Sequence, residues 1–262
     1  MTPLQQKRQR QLAMMNAGKD PGNIVAHGNL HELMMIQLVD HKKQLKGTQS
    51  VERKAEIKTK ILPDYIPYIS GTLEADSGAQ DEIVMTIMLW RIDVGDIQGA
   101  LEIAEYALRH DLQTPEQFNR DTATLIAEEV AEIALRMDEP DIKQLIHTLE
   151  ITKEKDMPDE VRAKLHKAIG TALGESNVDL ALEHLNRALQ LHKKSGVIKQ
   201  IEKLNSIKRK KDAAQQAALE KQQAQATHNN PEEKQEAKSE EEKQEEVEQK
   251  AEEPGFPENT VN

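Results

Sequence analysis

The chain has 262 residues, a formal net charge of −11 at pH 7, no cysteine, and only two Phe, three Tyr and one Trp. The absence of cysteine excludes a disulfide framework and thiolate metal ligands, and no apolar run approaches the roughly 18 to 20 residues that a transmembrane helix needs. The basic N-terminus lacks an apolar segment with a small-residue cleavage site, so no secretory signal is expected. The abundance of Ala, Glu, Lys, Gln, Leu and Ile favours helix over sheet. The sequence therefore predicts an all-α protein of a reducing compartment with no membrane partner.

Positive and negative charges are segregated along the chain. Residues 1–62 contain eleven Lys or Arg against five Asp or Glu, whereas residues 63–196 contain thirteen against twenty-six and residues 197–262 eleven against fifteen. A basic N-terminal segment beside an acidic body favours a polyanionic partner, such as double-stranded DNA. A solvated basic face without a partner would produce the same charge pattern.

The first 62 residues are predicted to form an arm and a helical hairpin. Residues 1–26 contain glycine and proline but no sustained apolar period, so we expect a mobile basic arm. In residues 27–62, apolar spacing predicts one helix over about 29–46, ended by Gly47 as a left-handed stop, and a second helix capped by Ser50. Two short helices with cations on the second have the outline of a helix-turn-helix DNA-binding motif.

The cations of this hairpin are the predicted contacts with DNA, because phosphate contacts position a protein on the duplex and supply most of its sequence-independent affinity. Most helical hairpins bind no DNA, so the outline alone does not establish the activity. The predicted phosphate-contacting residues are Lys42, Lys43, Lys46, Arg53, Lys54, Lys58 and Lys60.

Residues 63–196 are predicted to form a helical core domain of about seven helices. Two stretches within it, GDIQGALEIAEYAL (95–108) and NVDLALEHLNRALQ (177–190), share a pattern in which an Ala-Leu pair recurs after seven residues. Small side chains at this spacing let a second helix approach closely, as in the helix pairs of tetratricopeptide repeats. Two such copies are too few and too far apart for a solenoid built from units of about 34 residues. The repeat therefore predicts packed helix pairs and does not identify an activity.

The C-terminal part is predicted to comprise an oligomerisation helix, residues 197–228, and a disordered acidic tail, residues 229–262. The tail is rich in Glu and nearly devoid of large apolar residues, so it cannot bury enough surface to fold. The helix is too polar to be stable alone, and we expect its short apolar stripe to contact another copy of the chain. That stripe consists of Val197, Ile201, Leu204 and Ile207.

Two blocks carry a resemblance to a known family: GAQDEIVMTIMLWRIDVGDIQGALEIAEYALRH (78–110) and DMPDEVRAKLHKAIG (156–170). They resemble the small terminase subunit of temperate contractile-tailed bacteriophages, a family often labelled the terminase endonuclease subunit. The resemblance extends more weakly over about 27–204. It implies a ring-forming homo-oligomer in the host cytoplasm that recognises the viral packaging site and delivers concatemeric DNA to the terminase large subunit, which is the ATPase and nuclease.

The family label raises the alternative that the chain itself cuts DNA. A metal-dependent endonuclease needs carboxylates that converge on divalent cations, and the candidate ligands are Asp76, Asp81 and Glu82, which would bind Mg²⁺. Each also has a sufficient structural explanation as a negative charge before a helix. No Walker-type glycine loop is present, so ATP hydrolysis is not expected of this chain, and DNA binding alone requires no cofactor. A helical scaffold that binds only protein is the third alternative.

Overall fold

The computed structural model describes residues 3–16, 28–115 and 120–228, and these residues contain eleven α-helices, one 3-10 helix and no strand. The all-α prediction is confirmed. No helix in these ranges is both long and apolar enough to cross a membrane. The helices are α1 (Pro3–Asn16), α2 (Gly28–Gly47), α3 (Val51–Ile61), the 3-10 helix (Leu62–Tyr65), α4 (Ile66–Ala75), α5 (Glu82–Asp93), α6 (Ile97–Arg109), α7 (Thr122–Arg136), α8 (Ile142–Thr152), α9 (Asp159–Leu173), α10 (Val178–Leu191) and α11 (Ile198–His228).

The chain divides into two units, Met1–Asn205 and Ser206–Asn262. The first unit contains α1 to α10 and the first two turns of α11, and it extends beyond residue 196, the predicted end of the core domain. The reason is that Val197 and Leu204 are buried, with 0% and 2% of their surfaces exposed. In the second unit, the described residues are the remainder of α11.

The core of the first unit is centred on α5. Nine of its twelve residues are buried, including Trp90, because the helix is apolar around its whole circumference. It contacts α2, α3 and α6. This core helix therefore contacts both helices of the predicted hairpin as well as its neighbour α6.

The two repeated stretches form α6 and α10, and each packs against the helix that precedes it, α5 or α9. Ala107 on α6 and Ala188 on α10 are completely buried. Gly170 on α9 allows a still closer approach to α10, because a Cβ atom there would lie 2.6 Å from Leu185 Cγ. Small residues therefore occupy the helix contacts that the repeat predicts.

The structure differs from the prediction for the N-terminal arm in residues 3–16, which form helix α1 and lie against α2 and α4. Arg10 of α1 forms an ion pair with Glu74 of α4, with 2.7 Å between Nη2 and Oε2. The segment is rich in Gln, Leu, Lys, Arg, Ala and Met and has Pro3 as its first helical residue, all of which favour a helix. Residues 17–27 lie outside the described residues.

Candidate nucleic-acid interface

Two tyrosines attach the first helix of the hairpin, α2, to the rest of the unit. Nδ1 of His31 lies 2.7 Å from the hydroxyl of Tyr68, which donates its proton to Oδ2 of Asp81 at 2.6 Å. His31 Nδ1 must therefore donate to Tyr68, since that hydroxyl has a single proton. Nδ1 of His41 lies 2.8 Å from the hydroxyl of Tyr65, which makes a second side-chain contact between α2 and the rest of the unit. Burial raises the pKa of both tyrosine hydroxyls, so they stay protonated and act as structural hydrogen-bonding groups.

Apolar side chains also attach α2 to the rest of the unit. α2 buries a stripe at helical spacing against the unit, consisting of Leu30, Met34, Leu38 and Leu45. The hairpin is consequently part of the same folded body as α5. The structure also corrects the expected left-handed stop at Gly47, which lies within α2 and does not have a positive φ.

Two of the seven predicted DNA-contacting cations are engaged in ion pairs with α5. Lys42 Nζ lies 2.6 Å from Oε1 of Glu82, the first residue of α5. Lys58 pairs with Asp93, the last residue of α5, and only 14% of the Lys58 side chain is exposed. These two lysines bind the hairpin to the two ends of one core helix, so their charges are already neutralised within the subunit.

The other five predicted cations are not engaged in this way. Lys46, Arg53 and Lys60 are exposed and Lys54 is half-buried, and within the described ranges none of them has an acidic partner within 4.0 Å. Lys43 has only an exposed contact of 3.4 Å with Asp40 on its own helix. Such a contact contributes little to stability, which leaves these cations available to a ligand.

Arg53 and Lys60 line one side of a shallow groove of about 540 Å³ in the angle between α2 and α3. The groove also contains Ser50, whose side chain accepts a hydrogen bond of 3.3 Å from the backbone amide of Arg53 and caps α3. The positive end of the α3 dipole therefore lies beside Arg53, whereas Lys60 is in the last turn of the helix. Glu52 and Glu56 also line the groove, so it is mixed in charge. Backbone amides and cations at a helix N-terminus are groups that bind phosphate.

The three candidate metal ligands have separate partners. Asp76 accepts a hydrogen bond of 2.8 Å from Nε2 of His110, which together with Arg109 lowers the pKa of the carboxyl. Asp81 caps α5 and accepts from Tyr68, and Glu82 pairs with Lys42. Within residues 3–16, 28–115 and 120–228, no group of three or more His, Asp or Glu side chains is placed to hold a metal ion.

The predicted oligomerisation stripe is divided by burial. Val197 and Leu204 belong to the core of the first unit, so their side chains face residues of their own chain. Ile201 and Ile207 are half-buried and retain surface for a contact with another molecule. The predicted acidic tail, residues 229–262, lies outside the described residues.

A second cleft, between α7 and α9, was not anticipated from the sequence. It has a volume of about 770 Å³, and Lys164 crosses it to contact Glu128 at 2.8 Å and Glu132 at 2.6 Å. Arg120 also pairs with Glu128, which is nine-tenths buried. Arg120, Arg136 and Lys164 are each paired with a glutamate in this cleft, so these cations are less available to phosphate than Arg53 and Lys60. Glutamate is usually exposed on a helix, so no local pattern in the sequence indicates that Glu128 is buried.

Comparisons with known proteins give one consistent family. A family model described as the phage small terminase subunit matches residues 35–160. The chain is 43% identical over 208 residues to the "Terminase, endonuclease subunit" of Escherichia phage P2, covering 78% of this chain and 84% of that protein. It is 23% identical over 232 residues to the "Probable terminase, endonuclease subunit" of Haemophilus phage HP1, covering 76% and 82%. No solved structure matches. The chain belongs to the phage small terminase subunit family and has a role in phage DNA packaging.

Proposed function

We propose that this protein is the DNA-binding small subunit of a phage terminase. It recognises the viral packaging site in double-stranded DNA and delivers concatemeric DNA to the large ATPase and nuclease subunit in the host cytoplasm. The observation that carries the proposal is the group of cations on α2 and α3 that form no ion pair with α5, one of which, Arg53, lies at the capped N-terminus of α3. Family membership supports the packaging role.

Within this proposal, the seven predicted cations have two different roles. Lys43, Lys46, Arg53, Lys54 and Lys60 contact phosphate oxygens, whereas Lys42 and Lys58 hold the hairpin against α5. Each phosphate contact releases condensed counterions from the DNA, so binding weakens as salt rises. The two roles can therefore be separated by the salt dependence of binding.

The experiment compares two charge-matched double variants. Arg53→Ala with Lys60→Ala removes two cations from the groove, and Lys143→Ala with Lys153→Ala removes two exposed cations of the α8 region. In the groove variant, the negative slope of log K against log salt should become shallower by roughly 0.9 for each phosphate that the protein no longer neutralises. The control should keep the parent slope. Equal slopes in the two variants would contradict the assignment.

Point substitutions are preferable to removal of residues 1–62. Met34 and Leu38 of α2 are buried with 2% and 0% exposure, so truncation would remove core residues and expose the apolar surface that they cover. Loss of DNA binding by the truncated chain would then report unfolding. Substitution of exposed cations leaves that packing intact.

We also propose that the subunit functions as a homo-oligomer, in a ring. Ile201 and Ile207 of α11 are the members of the predicted stripe that keep exposed surface. Replacement of Ile207 by Glu should lower the oligomer mass in solution without a comparable loss of thermal stability. A ring also presents several weak DNA sites together, so its dissociation should weaken DNA binding because multivalency is removed.

The endonuclease alternative is favoured by one observation, the name of the phage P2 relative. Its test is Mg²⁺-dependent nicking of plasmid DNA by the isolated chain, with Asp76→Asn and Glu82→Gln as variants. Neither substitution removes a buried group. Nicking that requires Mg²⁺ and disappears in these variants would assign the cleavage to this chain. Failure to bind any DNA, independent of salt, would favour the protein-binding scaffold.

A further inference from the structure

Helix α2 has a second apolar stripe that the subunit leaves exposed. Leu33, Ile36 and Val39 recur every three residues and have 56%, 56% and 43% of their surfaces exposed. They account for three of the eight exposed large hydrophobic residues in the described part of the chain, and the other five are dispersed over α3, α4, α11 and a loop. Single exposed hydrophobics are ordinary, whereas an aligned group on one helix face marks a contact surface.

Opposite charges stand at the two ends of this stripe. Glu32 precedes it and Lys43 follows it, and both are exposed. Eleven residues separate them, which corresponds to about 16 Å along a helix axis. They therefore cannot pair with each other within one chain.

We propose that the occupant of this stripe is α2 of a second copy of the chain, packed antiparallel across a two-fold axis. The axis passes between residues 37 and 38. In this register Glu32 of one copy lies opposite Lys43 of the other, and Ile36 lies opposite Val39. Because the contact is isologous, each pairing occurs twice.

Charge complementarity selects the register. An axis through Ile36 would also align apolar residues, but it would place Glu32 opposite Asp40, and two exposed carboxylates at that distance repel. A parallel arrangement would place Glu32 against Glu32 and Lys43 against Lys43. The antiparallel register centred between residues 37 and 38 combines apolar contact with two attractive pairs.

This contact shares Lys43 with the proposed phosphate contacts, whereas Glu32, Ile36 and Val39 lie outside that set. Self-association is measured without DNA, so a failure of this contact can be distinguished from a failure of the proposed DNA binding. Two copies related by this axis would carry their cationic grooves toward opposite ends of the paired helices. A two-fold dimer could then engage two DNA segments or two half-sites at once.

The first test uses charge reversal and mixing, with mass in solution measured over a range of protein concentrations. Glu32→Lys alone and Lys43→Glu alone should each raise the dimer dissociation constant by about fivefold to tenfold, because two attractive pairs become repulsive. An equimolar mixture of the two variants should recover the parent affinity, since Lys at 32 then faces Glu at 43, and Glu at 32 faces Lys at 43. The double variant in one chain should also recover it.

The second test uses the absence of cysteine in the chain. Ile36→Cys in one copy and Val39→Cys in another place two thiols opposite each other in this register, and Glu150→Cys places one on the exposed surface of α8 as a control. Mild oxidation should link an equimolar mixture of the Ile36 and Val39 variants into covalent dimers at least tenfold faster than the control, and Glu32→Lys added to both chains should reduce the difference. Equal linking rates, or single charge reversals that leave self-association unchanged, would overturn the proposal and leave the stripe to a different protein.

Discussion

The hydroxyl of Tyr68 on α4 donates a hydrogen bond of 2.6 Å to Oδ2 of Asp81, while Oδ1 of Asp81 accepts from the backbone amides of Ile83 and Val84 at the start of α5. The carboxylate is 7% exposed and serves two structural purposes at once. It caps the central core helix, and it joins that helix to α4. Through Tyr68 it also reaches His31 on α2.

Replacement of Asp81 by Ala should therefore destabilise the fold strongly. The change removes an N-cap and leaves a buried tyrosine hydroxyl without its acceptor, which together should cost about 2 to 4 kcal/mol in the free energy of unfolding. Urea denaturation followed by circular dichroism measures this cost. Glu82→Ala, which loses only an exposed ion pair at the next residue, should cost less than about 1 kcal/mol. Similar losses in the two variants would contradict the capping role.

Asp81 shows which parts of the fold could be predicted from the sequence. Asp81 stands before an apolar run, so its helix-terminal position followed from local rules, and so did the helical nature of nearly every segment. Its pairing with Tyr68 depends on how α4 crosses α5, which no local pattern encodes. The same limit applies to the cations of the hairpin. Composition located them, but only the tertiary packing shows that Lys42 and Lys58 face the acidic ends of α5.

Lys58 and Lys60 provide a matched pair of substitutions on α3. Lys58→Ala removes the largely buried partner of Asp93 and should lower the melting temperature, while the salt slope of DNA binding stays near the parent value. Lys60→Ala removes an exposed groove cation and should leave the melting temperature unchanged, while the magnitude of the negative salt slope falls by roughly 0.9. Differential scanning fluorimetry and fluorescence anisotropy give the two readouts. Reversal of this pattern would mean that Lys58 is the phosphate contact.

The contact between α9 and α10 should make stability depend on pH. Nδ1 of His166 and Nδ1 of His184 lie 2.9 Å apart, so one donates to the other. Burial, reinforced by the neighbouring His184, lowers the pKa of His166 to about 4, and burial also lowers the pKa of His184. Arg162 and Arg187 lower the pKa of His166 further, whereas Glu183 opposes the shift of His184.

Both histidines therefore bind protons more readily in the unfolded chain, whose reference pKa is about 6.5. The stability from keeping them neutral is fully present above pH 6.5 and is lost as the pH falls from 6.5 toward 4. Urea midpoints measured across this interval should fall with pH in the parent protein. The double variant His166→Gln with His184→Gln should show a flatter dependence. If the urea midpoint of that variant falls with pH as steeply as that of the parent, the acid sensitivity belongs to other groups.

The close approach of α9 and α10 can be tested at Gly170, where intrinsic propensity and packing predict opposite results. Alanine inside a helix is favoured over glycine by about 1 kcal/mol. At Gly170, however, the added Cβ would lie 2.6 Å from Leu185 Cγ and 3.0 Å from the backbone oxygen of Ala181. A backbone atom cannot move aside as a flexible side chain can, so overpacking of about 1 to 3 kcal/mol should outweigh the propensity gain and destabilise Gly170→Ala.

Gly47 is the control for this substitution, because it lies at the end of α2, has no positive φ, and has nothing within 4 Å of an added Cβ. Gly47→Ala should be neutral or should stabilise the fold by up to about 1 kcal/mol. The measurement is the urea midpoint of each variant, with the slope of the transition checked to show that compactness is unchanged. If Gly170→Ala also stabilises the protein, α10 lies further from α9 than the structure places it. The small residues of the repeated stretches would then reflect helix propensity, and close packing between the paired helices would not explain them.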